Sequence, residues 1–206
     1  MTDKPIVYLL DDEPEMLKAL TRLLRAQGLQ VLGFASAGAF FAHERREGPA
    51  CLVLDVAMPD IDGLEVQQRL RQCGDDLPVV FLTGHGDIPM SVRAVKAGAE
   101  DFLTKPVNAA DLLEAIRAAL RRVSNRQAER EGLAVLHERL ASLTPRERDV
   151  LRHVIAGKMN KQIAADLGTG EQNIKIHRGR LMRKMGVASV ADLVRVAERL
   201  GIVPAE

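Results

Sequence analysis

Over its first 122 residues the chain alternates five short apolar runs with amphipathic segments, and this alternation constrains the fold more tightly than any other feature. Ile6–Leu10, Val31–Phe34, Cys51–Leu54, Val79–Leu82 and Asp101–Leu103 read as buried strands. Pro14–Gln27, Ala37–Arg46, Leu64–Cys73, Pro89–Ala97 and Ala109–Arg122 read as helices. Leu17, Leu20, Leu23 and Leu24 set a helical period in the first of these. Gly28, Gly74 and Gly98 supply helix stops. Parallel strands require long crossover connections, usually helices, so this order predicts an α/β domain with a parallel sheet covered on both faces.

The rest of the chain follows a different plan. Ser124–Leu140 is built of Arg, Glu, Gln and Ala, with Leu133, Leu136 and Leu140 at helical spacing and no Pro. A flexible linker is one reading; the helix formers favour a helical linker over 123–140, running on from the preceding helix as one rod. Thr144-Pro145-Arg146-Glu147 is a helix start, with a hydroxyl N-cap, Pro at the first helical position and Glu at the third. That helix is expected to end at Gly157, a second to run from Asn160 to near Gly168, and two more over Glu171–Met185 and Val190–Leu200. The expected boundaries are 1–122 for the α/β domain, 123–140 for the linker and 141–206 for an all-α four-helix domain. A length of 206 residues suits two small domains.

Charge divides along the same line. Residues 1–122 carry 14 Lys and Arg against 18 Asp and Glu, whereas residues 123–206 carry 15 against 10. An acidic front and a basic back point to a metal or phosphate site joined to a nucleic-acid module. Apolar runs are too short to span a bilayer, and charge appears within a few residues of the N-terminus, so neither anchor nor signal peptide is read and the protein is expected to be cytoplasmic with no membrane partner. Cys51 and Cys73 lack metal or redox spacing and are expected as buried or half-buried free thiols.

Chemistry is carried by the carboxylates. Asp11 and Asp12 follow the first strand and Asp55 follows the third. In an open parallel sheet the carboxyl ends of the strands form the ligand-binding edge, so three acids would converge there. Crowded carboxylates repel unless a cation joins them, and oxygen ligands with room for water suit Mg²⁺, or Mn²⁺ or Ca²⁺ in its place. Thr83 ends the fourth strand and offers a hydroxyl, and Lys105 follows the fifth and offers a positive charge. A cis Lys105–Pro106 bond would be one way to aim that lysine inward. Each residue alone has a plainer reading, as a turn former, a strand end or a surface loop. Their joint placement at the ends of four strands favours a phosphoryl-transfer site.

The segments Ile-Val-Tyr-Leu-Leu-Asp11-Asp12-Glu-Pro, Leu-Val-Leu-Asp55-Val-Ala-Met-Pro-Asp-Ile-Asp-Gly63, Phe-Leu-Thr83-Gly-His-Gly and Asp-Phe102-Leu-Thr-Lys105-Pro106 together resemble the receiver domain of response regulators, across residues 4–122. The resemblance implies a flavodoxin-like (βα)5 fold and a two-component system in which Asp55 accepts phosphate from a cognate histidine kinase. By the same likeness Asp12, Asp55 and the carbonyl of Ala57 would ligate Mg²⁺, with Asp11 acting largely through water. Thr83 and Lys105 would bind phosphoryl oxygens, and Phe102 occupies the position of a switch aromatic coupled to Thr83.

In the basic half, Lys161-Gln-Ile163-Ala164-Ala165-Asp166-Leu167-Gly168 forms a short helix before a tight turn and a longer helix from Glu171, which is a helix-turn-helix. Ile174, His177, Leu181 and Met185 share one face and are expected to pack inward, leaving Lys175, Arg178, Arg180, Arg183 and Lys184 outside. A cationic helix after such a turn suits the major groove. A basic helix alone is more often just a solvated face; the turn and the acidic partner domain favour DNA.

Leu143-Thr-Pro-Arg-Glu147-Arg-Asp-Val-Leu, Asn160-Lys-Gln-Ile-Ala and Ile174-Lys-Ile-His177-Arg-Gly-Arg-Leu-Met-Arg-Lys-Met185 resemble the LuxR/FixJ-type DNA-binding domain over about residues 140–203. Gln172, Asn173, Lys175, Ile176, Arg178 and Gly179 would then face the groove of double-stranded promoter DNA, with Thr144, Asn160 and Lys161 near its backbone and Arg180 and Arg183 as further cationic contacts. Some relatives carry a long polar side chain where Gly179 stands; that contact would be missing here, which leaves the base-reading pattern and the operator open. The whole is expected to be a FixJ/NarL-type transcription regulator that forms a homodimer on phosphorylation and works with RNA polymerase. It is not expected to be an enzyme in its own right beyond slow loss of its phosphate. Two rivals are a Mg²⁺-dependent phosphatase and a DNA binder whose receiver only dimerises. Ala57 stands where such a phosphatase needs a second Asp, and the complete acidic pocket disfavours the other.

Overall fold

The computed structural model describes residues 5–45, 48–84 and 100–206. The helix expected over Pro89–Ala97, and its stop at Gly98, lie outside these residues. The chain divides into two compact units, Met1–Arg126 and Gln127–Glu206.

In the first unit, strands β1 (Ile6–Leu10), β2 (Gln30–Phe34), β3 (Ala50–Asp55), β4 (Val79–Thr83) and β5 (Asp101–Thr104) form one sheet in the order β2-β1-β3-β4-β5. Every pairing is parallel. This is the flavodoxin-like order, with its switch point between β1 and β3. Alternate residues of the central strands serve opposite faces. Ile6, Tyr8, Leu10, Leu52, Leu54 and Phe81 pack on one side with α2 (Ala37–Ala42) and α3 (Gly63–Gln72). Val7, Leu9, Val53, Val80 and Leu82 pack on the other, with Leu20 and Leu24 of α1 (Pro14–Ala26) and Leu112 and Ile116 of α4 (Ala109–Ala141). Burial on both faces explains why these strands read as unbroken apolar runs. Gly28 and Gly74, at φ +79° and +72°, follow the ends of α1 and α3.

Helix α2 differs from expectation, whereas helix α4 runs on through the linker as the sequence predicts. Helix α2 ends at Ala42 rather than Arg46, because His43 turns extended (φ −77°, ψ 125°). Arg45 then stacks 5.5 Å over the Phe40 ring and pairs with Asp75. Helix α4 is a single 33-residue rod that includes the expected linker. Cys51 is buried and Cys73 exposed, both free, so only Cys51 is the buried thiol expected. Cys73 is displaced to the surface because it caps the end of α3.

The second unit holds the last turns of α4 with α5 (Pro145–Ile155), α6 (Asn160–Asp166), α7 (Glu171–Met185) and α8 (Val190–Arg199). Thr144 and Glu147 form the expected capping box at the start of α5. Leu143, Val150, Val154, Ile163, Ile174, Leu181, Met185 and Leu193 make its aliphatic core. Among the described residues no helix is long and apolar enough to cross a membrane.

Candidate phosphoryl-acceptor site and nucleic-acid interface

Parallel register brings the ends of β1, β3, β4 and β5 to one edge, and the expected residues meet there. One carboxylate oxygen each from Asp11, Asp12 and Asp55 lie within 4.8 Å of one another. Asp11 and Asp55 are buried, at 2% and 4% exposure. Lys105 Nζ donates to Asp11 Oδ2 and to Asp55 Oδ2, each at 2.9 Å. Asp11 Oδ1 accepts from the Glu13 amide at 2.9 Å, and Asp55 Oδ1 from the Ala57 amide at 3.3 Å. The lysine's own amide donates to the Thr83 carbonyl at 2.6 Å, which ties the β5 loop to the end of β4. The Lys105–Pro106 bond is cis.

Electrostatics in the pocket are unbalanced. Burial raises the Asp55 carboxyl above its ordinary value; Lys105 opposes this, while the Asp11 charge adds to it. Burial pushes the Lys105 ammonium down, but its bonds to Asp11 and Asp55 outweigh that and hold it up at about 12. One ammonium thus serves two buried carboxylates, with the exposed Glu13 carboxylate 3.6 Å away and Asp12 beside them. Three converging oxygen donors around a net negative charge are typical of a Mg²⁺ site, since a hard divalent cation relieves their repulsion without demanding a full protein cage.

Thr83 is buried at the end of β4. Phe102 is half-buried, packs against the core and lies 6.3 Å from the Phe81 ring. Ala57 is exposed just past Asp55. In sequence Gly63 is only the last residue of the Asp55 motif, yet the turn depends on it: its amide donates to the Val56 carbonyl at 3.0 Å. The Gly at the end of the Asp55 motif was the available signal, and it marks a close backbone approach.

In the second unit, Gln172, Ile176, Gly179 and Arg183 recur at i, i+4, i+7 and i+11 on α7, so they form one stripe. All four are exposed, as are Asn173, Lys175, Arg180 and Lys161. The opposite stripe, Ile174, Leu181 and Met185, is buried. His177 is only half-buried, at the border of the core. Arg178 is also half-buried and donates to Asn160 Oδ1 at 2.9 Å, joining the two helices of the motif. The Thr144 hydroxyl serves as the α5 cap.

Lys184 was expected outside. It is instead half-buried and bonds to Glu147 Oε2 at 2.7 Å, and that carboxylate is almost wholly enclosed. Burying the Glu147 charge requires a partner, and the last turn of α7 supplies it. Glu147 read in sequence as a cap only, because its partner lies 37 residues away.

Residues 7–117 match the family described as response regulator receiver domain, and residues 141–197 the one described as bacterial regulatory proteins, luxR family. The chain is 46% identical to the response regulator protein TodT of Pseudomonas putida, over 97% of its own length and 88% of that protein's. Among solved structures it is similar to the response regulator StyR, with a TM-score of 0.83 and 45% identity over 95% of this chain and 99% of that one. Full-length FixJ from B. japonicum matches with a TM-score of 0.61 and 36% identity, covering 98% and 100% of the two chains. A five-stranded parallel receiver sheet with an acidic pocket, a long helix and a luxR-type helix-turn-helix therefore form one unbroken match, and the chain belongs to the two-component response regulators of the FixJ/TodT family, DNA-binding transcription factors whose receiver implies a histidine kinase partner.

Proposed function

We propose that Asp55 is the phospho-acceptor and that its phosphorylation gates DNA binding by α7. The observation that carries this is the Lys105 ammonium held 2.9 Å from both the Asp11 and the Asp55 carboxylates on the binding edge of the sheet. In the transfer, an Asp55 carboxylate oxygen attacks phosphorus. The P–N bond to the kinase histidine breaks, and its electron pair returns to the imidazole, which takes up a proton. Mg²⁺ held by Asp12, Asp55 and the Ala57 carbonyl, with Asp11 through water, would neutralise charge on the phosphoryl oxygens. Lys105 then exchanges its Asp55 contact for a phosphoryl oxygen, and the Thr83 hydroxyl donates to another. Thr83 and Phe102 together form the switch, because movement of the hydroxyl changes the space open to the ring.

On DNA, Gln172, Ile176 and Gly179 of the exposed stripe, with Asn173 and Lys175 flanking them and Arg178 at the border, face the major groove. Thr144, Asn160, Lys161, Arg180 and Arg183 lie toward the phosphates. The working boundaries are 1–122, 123–140 and 141–206, the active form is a homodimer on promoter sites acting with RNA polymerase, and the compartment is the cytoplasm.

The test incubates the full-length chain with phosphoramidate and Mg²⁺, traps the acyl phosphate and locates it by mass spectrometry. DNA affinity and self-association are measured in parallel. Label at Asp55 with a change in both properties is expected, and Asp55→Asn should abolish label and change together. Equal responses from wild type and variant would sink the reading.

A further inference from the structure

The end of α7 and the end of α4 cap one another. An α-helix leaves its last four carbonyls without intrahelical donors, and a cation there is favourable. At the end of α7, the Gly186 amide takes the Arg183 carbonyl and the Val187 amide takes that of Met182, each at 3.1 Å. The Met185 carbonyl goes instead to Arg139, whose Nη1 donates to it at 3.1 Å from the last turn of α4. In return, Lys184 Nζ of α7 donates at 2.9 Å to the carbonyl of Ser142, the residue just past α4. The Ser142 hydroxyl closes the turn onto the Arg139 carbonyl at 2.6 Å.

Gly186 is shaped by the same contact. It sits at φ +67°, and a Cβ there would collide with the Arg139 guanidinium. Room for the arginine is thus built into the end of the helix.

We infer that Arg139 is a positioning residue that couples the linker helix to the DNA-reading helix. Helix α4 starts at Ala109 in the receiver unit and is continuous to Ala141, so its final turn is where a rotation or shift of the rod would be felt by α7. The guanidinium is a rigid fork held on a backbone carbonyl, and it transmits displacement better than an apolar contact free to slide. Packing of α7 on its own core holds the helix in place; Arg139 sets where its C-terminal end lies. The inference rests on the reading of α7 as the DNA-contacting helix.

The test uses the full-length chain, phosphoramidate with Mg²⁺, and a duplex selected from random sequence by the wild type. Affinity is measured with and without the donor for wild type, Arg139→Met and Arg139→Lys, with thermal unfolding and Asp55 labelling alongside. The expected result for Arg139→Met is normal labelling and a phosphorylation response cut about tenfold toward none, the scale of one charged hydrogen bond. Arg139→Lys should recover part of that response. If the methionine variant does not fold, Arg139→Gln, which keeps a polar head on a stem too short to hold the carbonyl, gives the same readout. Affinities lowered equally in both states mark a purely structural cap and overturn the coupling, as does an unchanged response. Selection by the wild type that enriches no duplex in either state overturns the DNA reading as well.

Discussion

At Gly63 the backbone passes so close to the acceptor strand that a Cβ would sit 2.5 Å from the Asp55 carbonyl oxygen and 3.0 Å from Val56 Cα. Both are main-chain atoms, which cannot swing aside. Gly63→Ala is expected to shift the end of β3 and slow labelling of Asp55, with a stability loss of about 1–3 kcal/mol, the range for overpacked sites. Mass-spectrometric labelling rates and thermal unfolding check it; unchanged values for both would refute it. A second residue, Glu147, carries a pH dependence. Its hydrogen bond from Lys184 and then its bond from the Thr144 amide hold the carboxyl down at about 2, from an ordinary 4.5. Between those values the unfolded chain binds the extra proton, so this contribution is complete above about pH 4.5 and is lost as pH falls toward 2. Glu147→Gln should cost roughly 1–2 kcal/mol at neutral pH, allowing for the partly exposed lysine. The gap in melting temperature to wild type should close between pH 5 and 2, roughly the span between the two pKa values. A gap independent of pH would show that the charge is not what stabilises the pair. Both residues were visible in sequence, one as a motif glycine and one as a cap. Their constraints were not, because each depends on atoms that only the fold brings near.

Among the elements, α4 shows how local propensity and tertiary contacts share control. Its stretch over residues 124–131 is exposed throughout, so no core holds that part helical. Helix formers do, with side-chain pairs such as Gln127 to Glu131 at 3.0 Å. That is why this helix was legible from residue types alone. Gly132 is the weak point of the rod, and a Cβ there would meet only Arg199 Nη2 at 3.8 Å, an ordinary contact. Gly132→Ala should therefore stabilise the helix by about 0.5–1 kcal/mol, seen as a raised melting temperature and more helical circular dichroism. A lowered melting temperature would mean that the glycine has a packing role. Helix α2 is the opposite case. Ala37–Arg46 reads as helical, yet the chain leaves the helix at His43 and Arg45 spans to Phe40 and Asp75. A contact with a residue 30 positions away prevailed over local preference, and no window of sequence contains it.

For the molecule as a whole, the division of charge is the property that matters most. A basic second half that binds DNA through Lys and Arg should lose affinity steeply with salt. With about six phosphate contacts, raising salt from roughly 50 to 200 mM should weaken binding on the order of 10³-fold. Titration of a labelled duplex at several salt concentrations gives the slope; a flat dependence would remove α7 and its neighbours as a phosphate-contacting surface. Two halves of opposite charge, a five-stranded parallel sheet, a helix-turn-helix and the convergence of Asp11, Asp12, Asp55, Thr83 and Lys105 on one edge were all determined by the sequence. Strand order and residue type suffice for these, since a parallel sheet sends every strand's carboxyl end the same way. Only the tertiary structure decided which charges are already engaged. Lys105 is shared between two carboxylates, Lys184 belongs to a buried glutamate, and Arg139 belongs to the end of α7. The physical reason is range: patterns of burial repeat locally along the chain, whereas a charge takes its partner from whatever the fold places within a few ångströms, however distant in sequence.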